Sequence, residues 1–167
     1  MKAYKGLIYV ILTATMAAAL GGCDKLDDDR IPPAAVNISF ATEDMWRLYG
    51  VPATPDYRYF IKSERIPAGY PYAALTQTGF GGVLLVADVH NEPVAFDLAC
   101  PVEARSDVRI AVDPQKADAY CPKCHSRYSI YTNGGIPTSG PALEDNYALR
   151  RYVVRTGIAG EYRLVTP

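Results

Sequence analysis

The sequence is poor in most features that would announce a function. It has no excess of basic charge: 17 Lys and Arg stand against 18 Asp and Glu, a formal net charge of −1. A chain without a basic field has nothing to draw it to nucleic acid. Only two histidines occur, His90 and His125, and no Ser-His-Asp order can be assembled from them. A glycine-rich phosphate loop and a carboxylate pair are missing too, so the reading leans against an enzyme. Beyond the N-terminus no apolar run approaches the ~20 residues that a membrane-spanning helix needs. No segment holds a helical apolar period for more than one or two turns, and there is no internal repeat.

What is present begins with a leader. Lys2 and Lys5 form a short basic region, and Leu7 to Leu20 is apolar except for Thr13 and Thr15. Small residues then lead to a cysteine in Leu20-Gly21-Gly22-Cys23. This junction resembles the lipobox of bacterial lipoproteins. The resemblance implies that residues 1–22 are a signal peptide and that Cys23 is acylated and starts the mature chain. The protein would then be held to a membrane of the bacterial cell envelope by its N-terminal lipid. An ordinary secretory signal or an N-terminal anchor helix is the alternative. Without Lys2 and Lys5 the net charge becomes about −3, again with no basic field.

Residues 23–35 read as a linker. Asp24-Lys25-Leu26-Asp27-Asp28-Asp29-Arg30 is too charged to bury a core, and Pro32-Pro33 stiffens its end. Residues 36–167 suit one domain. Its 13 tyrosines, with Val, Thr and Ile in short runs between Gly, Pro, Asn and Asp, favour strands. Strands are expected at Val36–Phe40, Tyr59–Ile61, Ala73–Leu75, Val83–Val89, Val94–Leu98, Val108–Val112, Ser129–Tyr131, Leu149–Arg155 and Tyr162–Val165, with one helical turn at Glu43–Leu48. The fold class is therefore all-β. Trp46 and Tyr49 are expected to plug the core or an interface, and Asp97 to satisfy backbone donors. His90 should lie in a solvated turn, and Arg150, Arg151 and Arg155 on an exposed strand face.

The cysteines carry whatever chemistry there is. With Cys23 taken by lipid, Cys100, Cys121 and Cys124 remain, an odd number. Their surroundings are Leu98-Ala99-Cys100-Pro101-Val102-Glu103 and Tyr120-Cys121-Pro122-Lys123-Cys124-His125-Ser126-Arg127-Tyr128. Two Cys-Pro loops about twenty residues apart, followed by an aromatic, a Gly turn, Gly140-Pro141-Ala142 and a closing hairpin, resemble the cluster loops of Rieske iron–sulfur proteins. The likeness covers roughly residues 79–165 and is closest to Rieske-like lipoproteins of Bacteroides-type bacteria. It implies a Rieske-like antiparallel β-sandwich with a small two-loop subdomain at about residues 100–142. It also implies that the two loops face each other, with their sulfurs within several ångströms.

A Rieske centre pairs two thiolates on one iron with two imidazoles on the other. Cys100 and Cys121 fall on the cysteine positions. Val102 falls on the first histidine position and Cys124 on the second, while His125 stands one residue late. A conventional His-ligated cluster is thus excluded by residue type. Three accounts remain open. The domain has lost its cluster and is a non-catalytic module, with two of its three thiols free to form a disulfide. Or Cys100, Cys121 and Cys124 hold an atypical [2Fe–2S] cluster for electron transfer to a redox partner, completed by Glu103, His125 or solvent. Or the same cysteines hold zinc.

Overall fold

A computed structural model describes residues 25–156 and the backbone of residues 162–165. The leader, Cys23 and the turn at Gly157 and Gly160 lie outside the described residues. The strands are β1 (Val36–Phe40), β2 (Tyr57–Phe60), β3 (Gln77–Thr78), β4 (Val83–Ala87), β5 (Pro93–Asp97), β6 (Ala111–Asp113), β7 (Asp118–Tyr120), β8 (Arg127–Ser129), β9 (Ile136–Ser139), β10 (Arg151–Thr156) and β11 (Tyr162–Val165). Two short helices accompany them, α1 (Glu43–Tyr49) and α2 (Pro141–Glu144). The fold is all-β, and every pairing between these strands is antiparallel.

Seven strands form one sheet in the order β2-β4-β5-β10-β11-β1-β3, and β6-β7-β8-β9 form a second. β10 joins the two halves of the large sheet. Arg151 and Tyr152 pair with β5, while Val153 to Thr156 pair with β11. β4 is the pivot of the packing. All five of its residues are buried, as an unbroken Val-Leu-Leu-Val-Ala run predicts for a strand covered on both faces. Leu84 and Val86 join Phe96, Leu98, Cys100, Cys121 and Tyr128 in one core, which carries the cysteines. Val83, Leu85 and Ala87 join Phe40, Trp46, Phe60 and Tyr70 in the other. Trp46 packs edge-on against Phe40 with ring centroids 5.0 Å apart, and Tyr49 lies at the margin of this second core.

Asp97 organises the join between β5 and the segment before β4. Fully buried, it accepts N–H bonds from Phe80 at 2.8 Å, Gly81 at 3.0 Å and Ala99 at 2.7 Å, and the Tyr152 hydroxyl donates to it. Burial and the Asp97 carboxylate push the Tyr152 hydroxyl well above the ordinary tyrosine range.

Several expectations need correction. Ala73–Leu75 is a turn, with Thr76 N–H bonded to Ala73 C=O at 3.2 Å, and β3 lies two residues further on. Three short apolar residues before a threonine whose hydroxyl accepts the Ala73 N–H close a turn more readily than a ladder. The strand expected at Ser129–Tyr131 is Arg127–Ser129, because the chain leaves the sheet where Ile130 and Tyr131 sink into the core. Val108–Val112 becomes β6 only from Ala111, since Cys100 and Leu98 take up the backbone of Val108 and Ile110. β7, β9 and α2 come in addition.

The charged linker is also docked in part. Asp27 makes a parallel bridge to Tyr147, Ile31 is fully buried, and Arg150 donates to the Ile31 carbonyl at 2.9 Å. Backbone pairing at Asp27, the buried Ile31 and the Arg150 hydrogen bond together pin the run to the domain. Arg150 is accordingly not a free surface residue, whereas Arg151, Arg155 and His90 are exposed as expected.

Candidate metal centre

The second sheet is a platform for two loops. The first leaves β5 at Asp97 and reaches β6. The second links β7 to β8. Both begin with Cys-Pro, and both close in the same way. Ala104 N–H bonds to Cys100 C=O at 2.8 Å, and His125 N–H to Cys121 C=O at 3.0 Å. In each loop the residue four positions after the cysteine has positive φ, 48° at Ala104 and 61° at His125. A proline fixes the entry to the turn and a left-handed residue ends it.

This geometry points three thiols inward. The sulfurs of Cys100, Cys121 and Cys124 all lie within 4.8 Å of one another, and Cys100 Sγ is 3.5 Å from Cys124 Sγ. All three are free thiols. Cys100 and Cys121 are fully buried, and the Cys100 sulfur is 3.7 Å from the hydroxyl of buried Tyr128. Three cysteines therefore cluster within metal-binding distance.

Their surroundings differ. Burial pushes the Cys100 thiol up to about 12, against a smaller lowering by the Glu103 N–H directed at it. Burial also acts upward on Cys124, but Ser126, through its hydroxyl and its N–H, and the other two thiols outweigh it and bring Cys124 below the ordinary thiol value. Ser126 is placed for this. Its hydroxyl oxygen accepts from the Cys124 thiol at 3.3 Å and from the Ala142 N–H at 3.0 Å. Gly140 makes the approach possible: it has φ 78°, and a Cβ there would come within 2.9 Å of Ser126 Cα. The Gly140-Pro141-Ala142 turn thus buttresses the second loop from behind.

Of the sequence candidates, Cys100, Cys121 and Cys124 are brought together. His125 is not a member of the group; its side chain is exposed beyond the turn. Val102 is half-buried against the core. Glu103 forms an ion pair with Lys123 across the two loops. Ser126 and Tyr128 were not singled out from the sequence, although both fall in the quoted loop. A polar residue two positions after a cysteine and an aromatic four after were the available signals.

The centre implied by the Rieske likeness does not fit these residues. It needs two imidazoles on one iron, and among the described residues no histidine joins the thiols. Cys124, at the second histidine position, lies instead beside Cys100. Compared with protein-family models, curated proteins and solved structures, the chain gives no match.

Proposed function

We propose that this protein is a membrane-anchored, Rieske-like lipoprotein of the bacterial cell envelope, a non-catalytic module whose two loops are clamped by one tetrahedral metal ion, zinc. It meets the membrane through the lipid on Cys23 and presents its domain to an envelope partner. The observation that carries this reading is the mutual closeness of the three sulfurs, within 4.8 Å. Thiolates on one zinc at ~2.3 Å and tetrahedral angles stand ~3.8 Å apart. Two sulfide-bridged irons hold their terminal ligands at opposite ends of the cluster, so ligands of different irons are farther apart than ligands of one metal. Cys124, 3.5 Å from Cys100, suits the single ion. Burial of two of the three cysteines suits a closed structural site better than an open catalytic one.

Metal analysis of the purified protein, with its visible absorption spectrum and a thiol count, tests this. One zinc per chain, no visible absorption and three thiols that react only after chelation are expected. Two irons per chain with sulfide-to-iron absorption would replace the reading by electron transfer through an atypical [2Fe–2S] cluster. No metal, with one free thiol and a disulfide, would leave a cluster-free module stapled by oxidation. Such a bridge closing a loop of over twenty residues would contribute ~3 kcal/mol.

A further inference from the structure

The two loops are structural equivalents, and the equivalence assigns a fourth ligand. Each runs Cys-Pro-x-x and then a left-handed residue whose N–H bonds back to the cysteine carbonyl. Cys100 matches Cys121, Pro101 matches Pro122 and Ala104 matches His125. The position that Cys124 occupies in the second loop is therefore occupied by Glu103 in the first. Resting on the reading of a single-metal clamp, we infer that the Glu103 carboxylate is the fourth ligand, so that the site is Cys100, Glu103, Cys121 and Cys124.

Three observations support this. The Glu103 side chain is only 16% exposed, although it belongs to a loop. Its own N–H is directed at the Cys100 sulfur, so its backbone already wraps the site. Its carboxylate already reaches toward the second loop, where Lys123 holds Oε2. The carboxylate is not among the donors already gathered there, so it reaches the metal by turning from Lys123.

The charges agree. Three thiolates and one carboxylate around a divalent ion leave two net negative charges, and the Lys123 ammonium beside the carboxylate offsets one of them. Carboxylate oxygen is an accepted zinc donor. Binding forms one metal–oxygen and three metal–sulfur bonds, and the thiol protons are released to solvent. His125 is excluded by the same equivalence. It occupies the turn-closing position that Ala104 fills in the first loop, and its side chain is exposed.

The test uses the full chain in detergent, stripped of metal and titrated with zinc against a chromophoric chelator and, separately, with cobalt(II). Glu103→Gln should weaken zinc binding about 10-fold or more. Glu103→Cys should restore or strengthen it and raise the thiolate-to-cobalt absorption by about one third, as three thiolates become four. His125→Ala should change neither. Glu103→Gln with wild-type affinity, or Glu103→Cys with no gain in that absorption, would overturn the assignment while the single-metal reading stands. Weakening by His125→Ala alone would move the fourth position to histidine. If the wild-type chain binds neither zinc nor cobalt, the clamp itself fails. Circular dichroism of each variant separates loss of a ligand from loss of the fold.

Discussion

At the scale of single residues, the site depends on conformations that only a few side chains tolerate. His125 is a histidine held at φ 61°, a left-handed conformation that costs a non-glycine residue ~1–2 kcal/mol. His125→Gly should therefore stabilise the protein by ~1 kcal/mol and leave metal content unchanged. Urea unfolding with parallel metal analysis checks it. Loss of metal in that variant would show that the imidazole is needed after all. Cysteine spacing was readable in the sequence, and so was the turn. That the turn exposes His125 while aiming Cys124 inward follows from the sign of one backbone angle, which residue type alone does not set.

At the scale of elements, β4 divides its side chains between two cores, and this separates stability from the site. Leu84 and Leu85 are both fully buried, but Leu84 packs in the core that contains Cys100 and Cys121, and Leu85 in the core around Phe40 and Phe60. Truncating either to alanine should cost ~2–5 kcal/mol through lost burial and the cavity left behind. Leu84→Ala should in addition weaken zinc binding, whereas Leu85→Ala should not. Thermal unfolding and a chelator competition, run on both variants below their unfolding temperatures, make the comparison. The burial of β4 on both faces was legible from its unbroken apolar run. β7 and β9 were not, because runs of three or four residues with Asp, Pro and Thr carry no period. β7 is a strand because β6 and β8 supply ladder partners on either side, and β9 because β8 pairs with it at the edge of the sheet.

At the scale of the whole molecule, the abundance of tyrosine in the core sets a limit in alkali. Burial raises Tyr59, Tyr70, Tyr72, Tyr128, Tyr131 and Tyr152 above the ordinary value of 10.0, Tyr131 to about 12. In the unfolded chain these phenols lose their protons at lower pH than in the native state. Their contribution is therefore fully present below pH 10 and is lost as the pH rises from there through the folded values. Unfolding followed by circular dichroism should track the ultraviolet band of tyrosinate, with onset above about pH 10. Tyrosinate that develops well before any loss of structure would contradict this. Attachment belongs to the same scale. Cys23→Ala should release the protein from membranes or leave an unprocessed precursor, read by detergent partitioning and by the mass of the chain. Normal processing with unchanged partitioning would defeat the lipoprotein reading.

The all-β class, the two Cys-Pro loops and the shortage of histidine could all be read from residue types and spacing. They depend on local preferences, on which side chains pack on a pleated surface and which atoms can bind a metal. That Asp97 satisfies backbone donors was legible in the same way, whereas its burial and its bonds to Phe80 and Gly81, far back in the chain, were not. The tertiary structure alone decided where the loops meet. Cys100 and Cys124 are 24 positions apart in the chain, yet their sulfurs lie 3.5 Å apart. That distance is set by how β5, β6, β7 and β8 pair and by Ser126 seated against Gly140 and Ala142. Likewise, the linker is pinned because Tyr147 lies beside Asp27 and Arg150 beside Ile31 in the folded domain. A metal site requires its donors to converge within a few ångströms, and convergence between distant segments is a property of the fold's pairings rather than of any one segment.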